Sequence, residues 1–249
     1  MKAWYFSNGD RRLRHGDGRE IRIGETHAVS GDIELCSHGL HASKKLIDAI
    51  YYAPGNIVYR VEMSGKVEEG GDKVVAQKRT YLSGGIDVSE TLRKFARMCA
   101  LDVIDMWEAP DIVIRYLTTG DKSIQASAYG ATLDAAPGDA RDAAMDAAID
   151  ATPCAALASA RAAARAVACD STCDSAWAAA RSSARAVARA AAYDSAMAAT
   201  PAAAMAAAMA AVYDSARTAA LDEARRKQNR RLTSMITRAI RDAHFGGTI

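Results

Sequence analysis

No stretch of the sequence is long and apolar enough to cross a membrane. The best candidate, Pro201 to Tyr213, has 13 residues, where about 20 are needed. Met1 to Asp10 carries one lysine with no apolar segment behind it, so no secretory leader is expected and a cytoplasmic location is. The five cysteines are an odd number, which favours reduced thiols over a disulfide framework. Charge of one sign is also missing: 32 Lys and Arg stand against 30 Asp and Glu, a net +2, so no global field drives the chain onto nucleic acid or a membrane surface. No Ser/His/Asp set and no Gly-rich phosphate loop of recognised spacing occurs. The Cys36-x-His38-x-x-His41 spacing fits no standard zinc pattern and lacks a fourth ligand. Cys169 and Cys173 share a helical face, but small thiols suit close helix packing equally. No catalytic residue, cofactor or metal is therefore expected.

What is present divides in two. Half the residues are hydrophobic and a quarter charged, as in a folded protein, but 131–220 holds 42 alanines in 90 positions. The expected fold class is an α+β domain over 1–120, then an all-α, alanine-rich helical repeat array over 121–220 and a basic amphipathic helix over 221–249. In the first part, Lys2 to Ser7 reads as a strand. Ile57, Tyr59, Val61 and Met63 alternate with Val58, Arg60 and Glu62, the period of a strand with one buried face. Gly65 and Gly70-Gly71 break the chain, and Lys73 to Leu82 reads as another strand. Gly16-Asp17-Gly18 predicts a turn with a basic rim. Lys44 to Ala53 has helical spacing, with Ser43 as N-cap and Pro54-Gly55 as its stop. Leu92, Phe95, Cys99, Val103 and Met106 give an amphipathic helix from Ser89 to Trp107, capped by Ser89. Pro110 starts a shorter helix ending near Gly120.

The run Gly39-Leu40-His41-Ala42-Ser43, then Asp48-Ala49 and Tyr52-Ala53-Pro54-Gly55, and a strand ending in Gly65, resembles an uncharacterised domain of phage and prophage proteins over about 2–120. Residues 39–65 also resemble, over a shorter stretch, the ADP-ribosyltransferase-like folds. That second resemblance implies an early His or Arg on a strand to grip NAD and a late glutamate to orient the acceptor. His15-Gly16 falls in a turn, and no glutamate takes the late position: Lys73 to Leu82 has none, and Glu68-Glu69 sit in a Gly-rich turn.

In the second part, the motif from Ser159 to Ser171 recurs at Ser183 to Ser195, with a worn copy ending at Tyr213-Asp214-Ser215. The period of 24 indicates about one helix and turn per unit. Thr152-Pro153 and Thr200-Pro201 are helix-start signals, and the Asp-Ser pairs would cap or start neighbouring helices. Alanine favours helix but buries little surface per residue, so such helices need close backbone approach. Trp177, Met197, Met205, Met209 and Val212 would fill the gaps, and some alanine faces would pack on another copy, giving a homo-oligomer. Asp139, Asp142, Asp146 and Asp150 form an acidic stripe. The last helix, from about Leu221 to Ala243, has the apolar stripe Leu221, Ala224, Leu232, Met235, Ile236, Ala239 and Ile240. Its other face is basic, eight cations against two acids over 217–241. The alanine-rich array followed by this helix also resembles the C-terminal halves of alanine-rich phage proteins.

The basic helix could contact nucleic acid, although it lacks interleaved aromatics. Alternatively it docks the acidic stripe. Reversing Arg226, Arg230 and Arg231 should then alter association more than ligand binding. His38, His41, Ser43, Tyr52, Lys73 and Arg79 are the candidate ligand-binding set, with Arg and Lys on phosphate and Tyr stacking a base. Arg79 is placed at the polar end of a strand, with His41 and Ser43 at a helix start. The expected function is a non-enzymatic phage-encoded binding protein. It would sequester a small anionic, ADP-ribose-like nucleotide or bind a host protein, so counteracting host defence. An ADP-ribosyltransferase-like enzyme using NAD and a structural or nucleic-acid-associated protein are the alternatives. No membrane partner is expected.

Overall fold

The computed structural model describes residues 1–15, 17–135, 138–148, 156–166 and 200–245, the side chains of 200–214 and 245 excepted. Five strands, β1 (Lys2–Ser7), β2 (Thr26–Ala28), β3 (Leu40–Ala42), β4 (Ile57–Glu69) and β5 (Val74–Asp87), form one sheet of order β1-β4-β5-β2, with β3 also on β5. All pairings are antiparallel. Period-two alternation places Ala3, Tyr59, Val61, Met63 and Tyr81 in one core and Trp4, Phe6 and Val58 in another. The reading of β4 as a strand with one buried face is thus corrected: Val58 is fully buried. Helices cover its side of the sheet, and the other side is covered by the segment carrying Leu13 and Ile21.

Gly65 does not end β4. It sits at φ +76° where the register shifts between Ser64 and Val67, and pairing resumes to Glu69. Glu68 and Glu69 therefore belong to the strand and not to a turn. Gly39, which opens the Gly39–Ser43 motif, has a different duty. Its φ is +126°, and a Cβ there would lie 2.4 Å from Val75 Cγ2. Only glycine admits the chain to β3 at that angle and distance.

Helix α1 is short, Leu46–Tyr51, and its N-cap is Lys45 without a side-chain hydrogen bond. Ser43 is not its cap. Ser43 is buried, and its backbone exchanges hydrogen bonds of 2.8 and 3.0 Å with Trp4. His41 lies in β3, so neither residue stands at a helix start. The N-cap of helix α2 (Ser89–Leu101) is Val88 and not Ser89, and it makes no side-chain cap bond; Asp87 Oδ1, two residues before Ser89, accepts from the Ser89 N–H at 2.7 Å. Leu92, Phe95, Cys99 and Val103 are buried as their spacing requires, whereas Met106 is exposed. Helix α3 (Asp111–Thr119) follows Pro110 and ends at Gly120, φ +71°.

Helices α4 (Gln125–Leu133), α5 (Asp139–Ala147), α6 (156–166) and α7 (Thr200–Phe245) complete the described chain. An N-terminal antiparallel sheet with helices is thus followed by several helices. Alanines of α5 and α6 share one core with α1, α2, α3 and the Leu232, Ile236 and Ile240 stripe of α7. Ser159 Oγ lies within 3.0 Å of the Ala96 and Ala143 carbonyls, and Gln228 Nε2 donates to Ala160 O at 2.7 Å. Small side chains bring these backbones within reach of single polar groups.

Helix α7 begins at Thr200, where the Thr-Pro signal stands, and not near Leu221. Asp214 and Ser215 lie inside it, so this pair caps nothing. Asp139 of the acidic stripe pairs with Arg165 of α6. Among the described residues, the acids that reach α7 from elsewhere are Asp48 and Asp102. Thr152-Pro153, Cys169, Cys173, Trp177, Met197, the repeat at Ser183 to Ser195 and the side chains of Met205, Met209 and Val212 lie outside the described residues. No helix among the described residues is long and apolar enough to cross a membrane.

Candidate anion-binding site

The six sequence-predicted ligand residues do not converge on one opening. His38 is exposed, with Nε2 3.0 Å from Ser30 O. His41 Nε2 accepts from the Cys36 N–H at 3.1 Å, and burial lowers its pKa. Tyr52 is 41% exposed, and its hydroxyl donates to Asp72 at 2.6 Å. Lys73 Nζ stands 4.5 Å over the Tyr52 ring, held above its ordinary pKa by the Cys36 thiol and then the Tyr52 hydroxyl. Among the described residues no cluster of His, Cys, Asp or Glu has a metal-holding arrangement.

Arg79 is the largest correction. It is 2% exposed. Its Nε and Nη2 donate to Tyr81 Oη at 3.0 and 2.8 Å, and Nη1 donates to His41 O at 2.6 Å. The guanidinium stacks 3.7 Å above the Tyr5 ring. This is an internal cation whose fork is already occupied. Because Tyr81 Oη accepts twice from Arg79, its own proton is left for His27 Nδ1, 3.2 Å away. That geometry puts the imidazole hydrogen on Nε2, 3.6 Å from a Glu25 oxygen. Burial pushes the Tyr81 pKa up to about 12. Desolvation first, and then Arg19, hold His27 below its ordinary value. The centre is a neutral-histidine, neutral-tyrosine network around one buried arginine.

The open space is elsewhere. A groove of about 550 Å³ lies between α1 and α7, lined by Lys45, Asp48, Asp72, Arg225, Arg226, Asn229 and Arg230 among others. Beyond it the open face of α7 carries on from Asn229 and Arg230 past Thr233, Ser234, Thr237, Arg238 and Arg241. None of the six predicted residues lines either. The junction is fixed by Asn229 Oδ1, which accepts from the Ile47 N–H at 3.1 Å, and by Arg225, 3.3 Å from buried Asp48. Burial raises the Asp48 pKa.

Two of the groove carboxylates are engaged, Asp48 by Arg225 and Asp72 by Tyr52. Arg230 pairs with Glu223 at 3.1 Å and Arg241 with Asp242 at 3.4 Å. Among the described residues Arg238 forms no ion pair. Arg231, expected on the same basic face, points inward and grips Asp102 with two bonds of 2.8 and 3.0 Å. Arg226 and Arg230 were visible in the sequence as basic helix residues. Arg225 belongs to the same basic run, but its meeting with Lys45 across 180 positions of chain left no sequence signal.

Residues 11–94 match the model of a family described as a domain of unknown function, DUF7666. The match takes in β2, β3, α1, β4, β5 and the start of α2, inside the 2–120 stretch of the resemblance noted from sequence. It stops well short of α7. No curated protein and no solved structure matches the chain.

Proposed function

We propose that this chain is a non-enzymatic binding protein holding a phosphate-bearing ligand, of the nucleotide or ADP-ribose class, in the groove between α1 and α7. One observation carries the reading. Lys45 of α1 and Arg225, Arg226 and Arg230 of α7 line one groove of about 550 Å³, a volume that a nucleotide fills. Guanidinium groups accept phosphate bidentately, and Asn229, Thr233, Ser234 and Thr237 add neutral donors. In a phage setting such a protein would withdraw a nucleotide signal from a host defence system. The alanine-rich segment, as a helical repeat array, would supply stability and self-association.

Calorimetric titration with ADP-ribose tests the site. Binding should weaken at least tenfold in R225E/R230E and stay unchanged in H38A. Loss of affinity in H38A, or no binding by the wild type, would contradict the proposal.

The second reading is an ADP-ribosyltransferase-like enzyme. His27 stands on β2 directly across from Arg79 on β5, a strand histidine that His15, at φ +61° in a turn, cannot be, but at 3% exposure it would have to be uncovered before NAD could reach it. Transfer of label from NAD to protein or nucleic acid would establish it.

A further inference from the structure

We infer that the groove continues along α7 as a track for a single strand of nucleic acid, with a base platform at the Tyr51–Tyr52 pair. This rests on the phosphate-binding reading above and extends it from a small ligand to a polymer.

The first observation is length. Arg226, Arg230, Arg238 and Arg241, with Thr233, Ser234 and Thr237 between them, lie within one exposed arc of α7. At 1.5 Å per residue the run from 226 to 241 extends about 22 Å. A mononucleotide would occupy one end of such a face. A chain of phosphates would occupy all of it.

The second observation is the aromatic pair that the fold brings to its end. The helix itself has no Phe, Trp or Tyr between 214 and 244, but α1 ends on Tyr51 with Tyr52 as its C-cap. Tyr51 and Tyr52 are 53% and 41% exposed and meet edge to face at 4.8 Å. Tyr52 is joined to the groove through Asp72, which lines it, and follows the groove residue Asp48 by one helical turn. Arg161 and Lys73 stand 4.9 and 4.5 Å from the Tyr51 and Tyr52 ring centres. Exposed tyrosines beside cations suit an unpaired base, whose π face a ring can meet and whose phosphate the cations can neutralise. Stacked bases inside a duplex offer no such face.

The third observation is the charge gradient. The groove at α1 is mixed, four cations against three carboxylates, while the open face further along α7 carries three arginines and no acid. The mixed end suits the donors and acceptors of a base edge, and the acid-free end suits phosphates.

Fluorescence anisotropy with a labelled 12-nucleotide single-stranded DNA tests the track, run beside ADP-ribose calorimetry on the same proteins. The logarithm of affinity should fall against the logarithm of salt with a slope of about −3, the value for four phosphates on a single strand. R238E/R241E should weaken DNA binding at least tenfold and lower ADP-ribose affinity far less, because Arg225, Arg226 and Arg230 at the α1 end remain. Y51A/Y52A should weaken DNA binding at least fivefold. Equal affinity for a duplex of the same length with no effect of Y51A/Y52A would overturn the inference. So would DNA affinity indifferent to R238E/R241E. If ADP-ribose binds and the DNA does not, the track fails and the small-ligand reading stands. If neither binds, both fall.

Discussion

Two arginine settings in this molecule look alike in sequence and differ in availability. Arg79 stands in the sheet at 2% exposure with its fork engaged by Tyr81 and the His41 carbonyl. Arg226, Arg230 and Arg241 stand on α7 with side chains 65% exposed. Their carboxylate partners, Glu223 and Asp242, are themselves about as open to water, so those pairs are weak and exchangeable. An arginine can bind a ligand only with donors not already satisfied inside the protein. Residue type and strand position pointed to Arg79, whereas the inventory of donors points to α7.

The largest expected effect asks whether the inner face of α7 is as structural as the sheet. Ile236 is fully buried in the shared core. I236A should cost about 4 kcal/mol, read by denaturant unfolding. A cost near zero would mean that α7 does not dock, and the groove would lose its wall. Next is Arg79 itself. R79A should cost about 3 kcal/mol, because Tyr81 Oη and the His41 carbonyl lose their donors in a buried site and a void is left. Truncating an arginine at the polar end of a strand would leave the melting temperature nearly unchanged; the burial of Arg79 reverses that. The α7 surface arginines should behave oppositely. R226E/R230E should change stability by no more than about 0.5 kcal/mol, while ADP-ribose affinity falls at least tenfold, about 1.4 kcal/mol. A large fall in melting temperature would erase the distinction between the two settings.

The smallest effect is in pH. His27 is held below its ordinary 6.5, first by burial and then by Arg19, and His41 is lowered in the same direction. A depressed folded-state pKa means that the fold favours neutral imidazole. Its contribution is complete above the unfolded value near 6.5 and is lost as pH falls towards the folded value. Melting temperature should therefore be flat from about pH 8 to 7 and decline from about pH 6.5 to 5.5. H27Q should reduce that decline, with His41 carrying the remainder. A melting temperature that rises as pH falls through this window would contradict the neutral network.

The longer elements were legible because their periods were. Alternation marked β4, a short aromatic and apolar run marked β1, and the Leu92–Phe95–Cys99 spacing marked α2. Strands β2 and β3 have three residues each, too few to show a period, and they exist because β5 offers them an edge. Gly65 read as a break because a glycine at positive φ serves a bulge as well as a turn. The apolar stripe of α7 contains Gln228, whose partner is a backbone carbonyl of α6 and so leaves no sequence signal. The groove was least visible. Its α1 wall and its α7 wall are about 180 positions apart, and each alone reads as an ordinary polar surface.

The most direct test of where a phosphate binds is to watch the arginines themselves. Nε–Hε resonances of ¹⁵N-labelled protein, titrated with ADP-ribose, report each guanidinium that accepts a phosphate. Arg225, Arg226 and Arg230 should shift in a saturable way while Arg79 stays still. Movement of Arg79, with the α7 resonances unchanged, would place the ligand in the sheet and contradict the assignment to the α1–α7 groove.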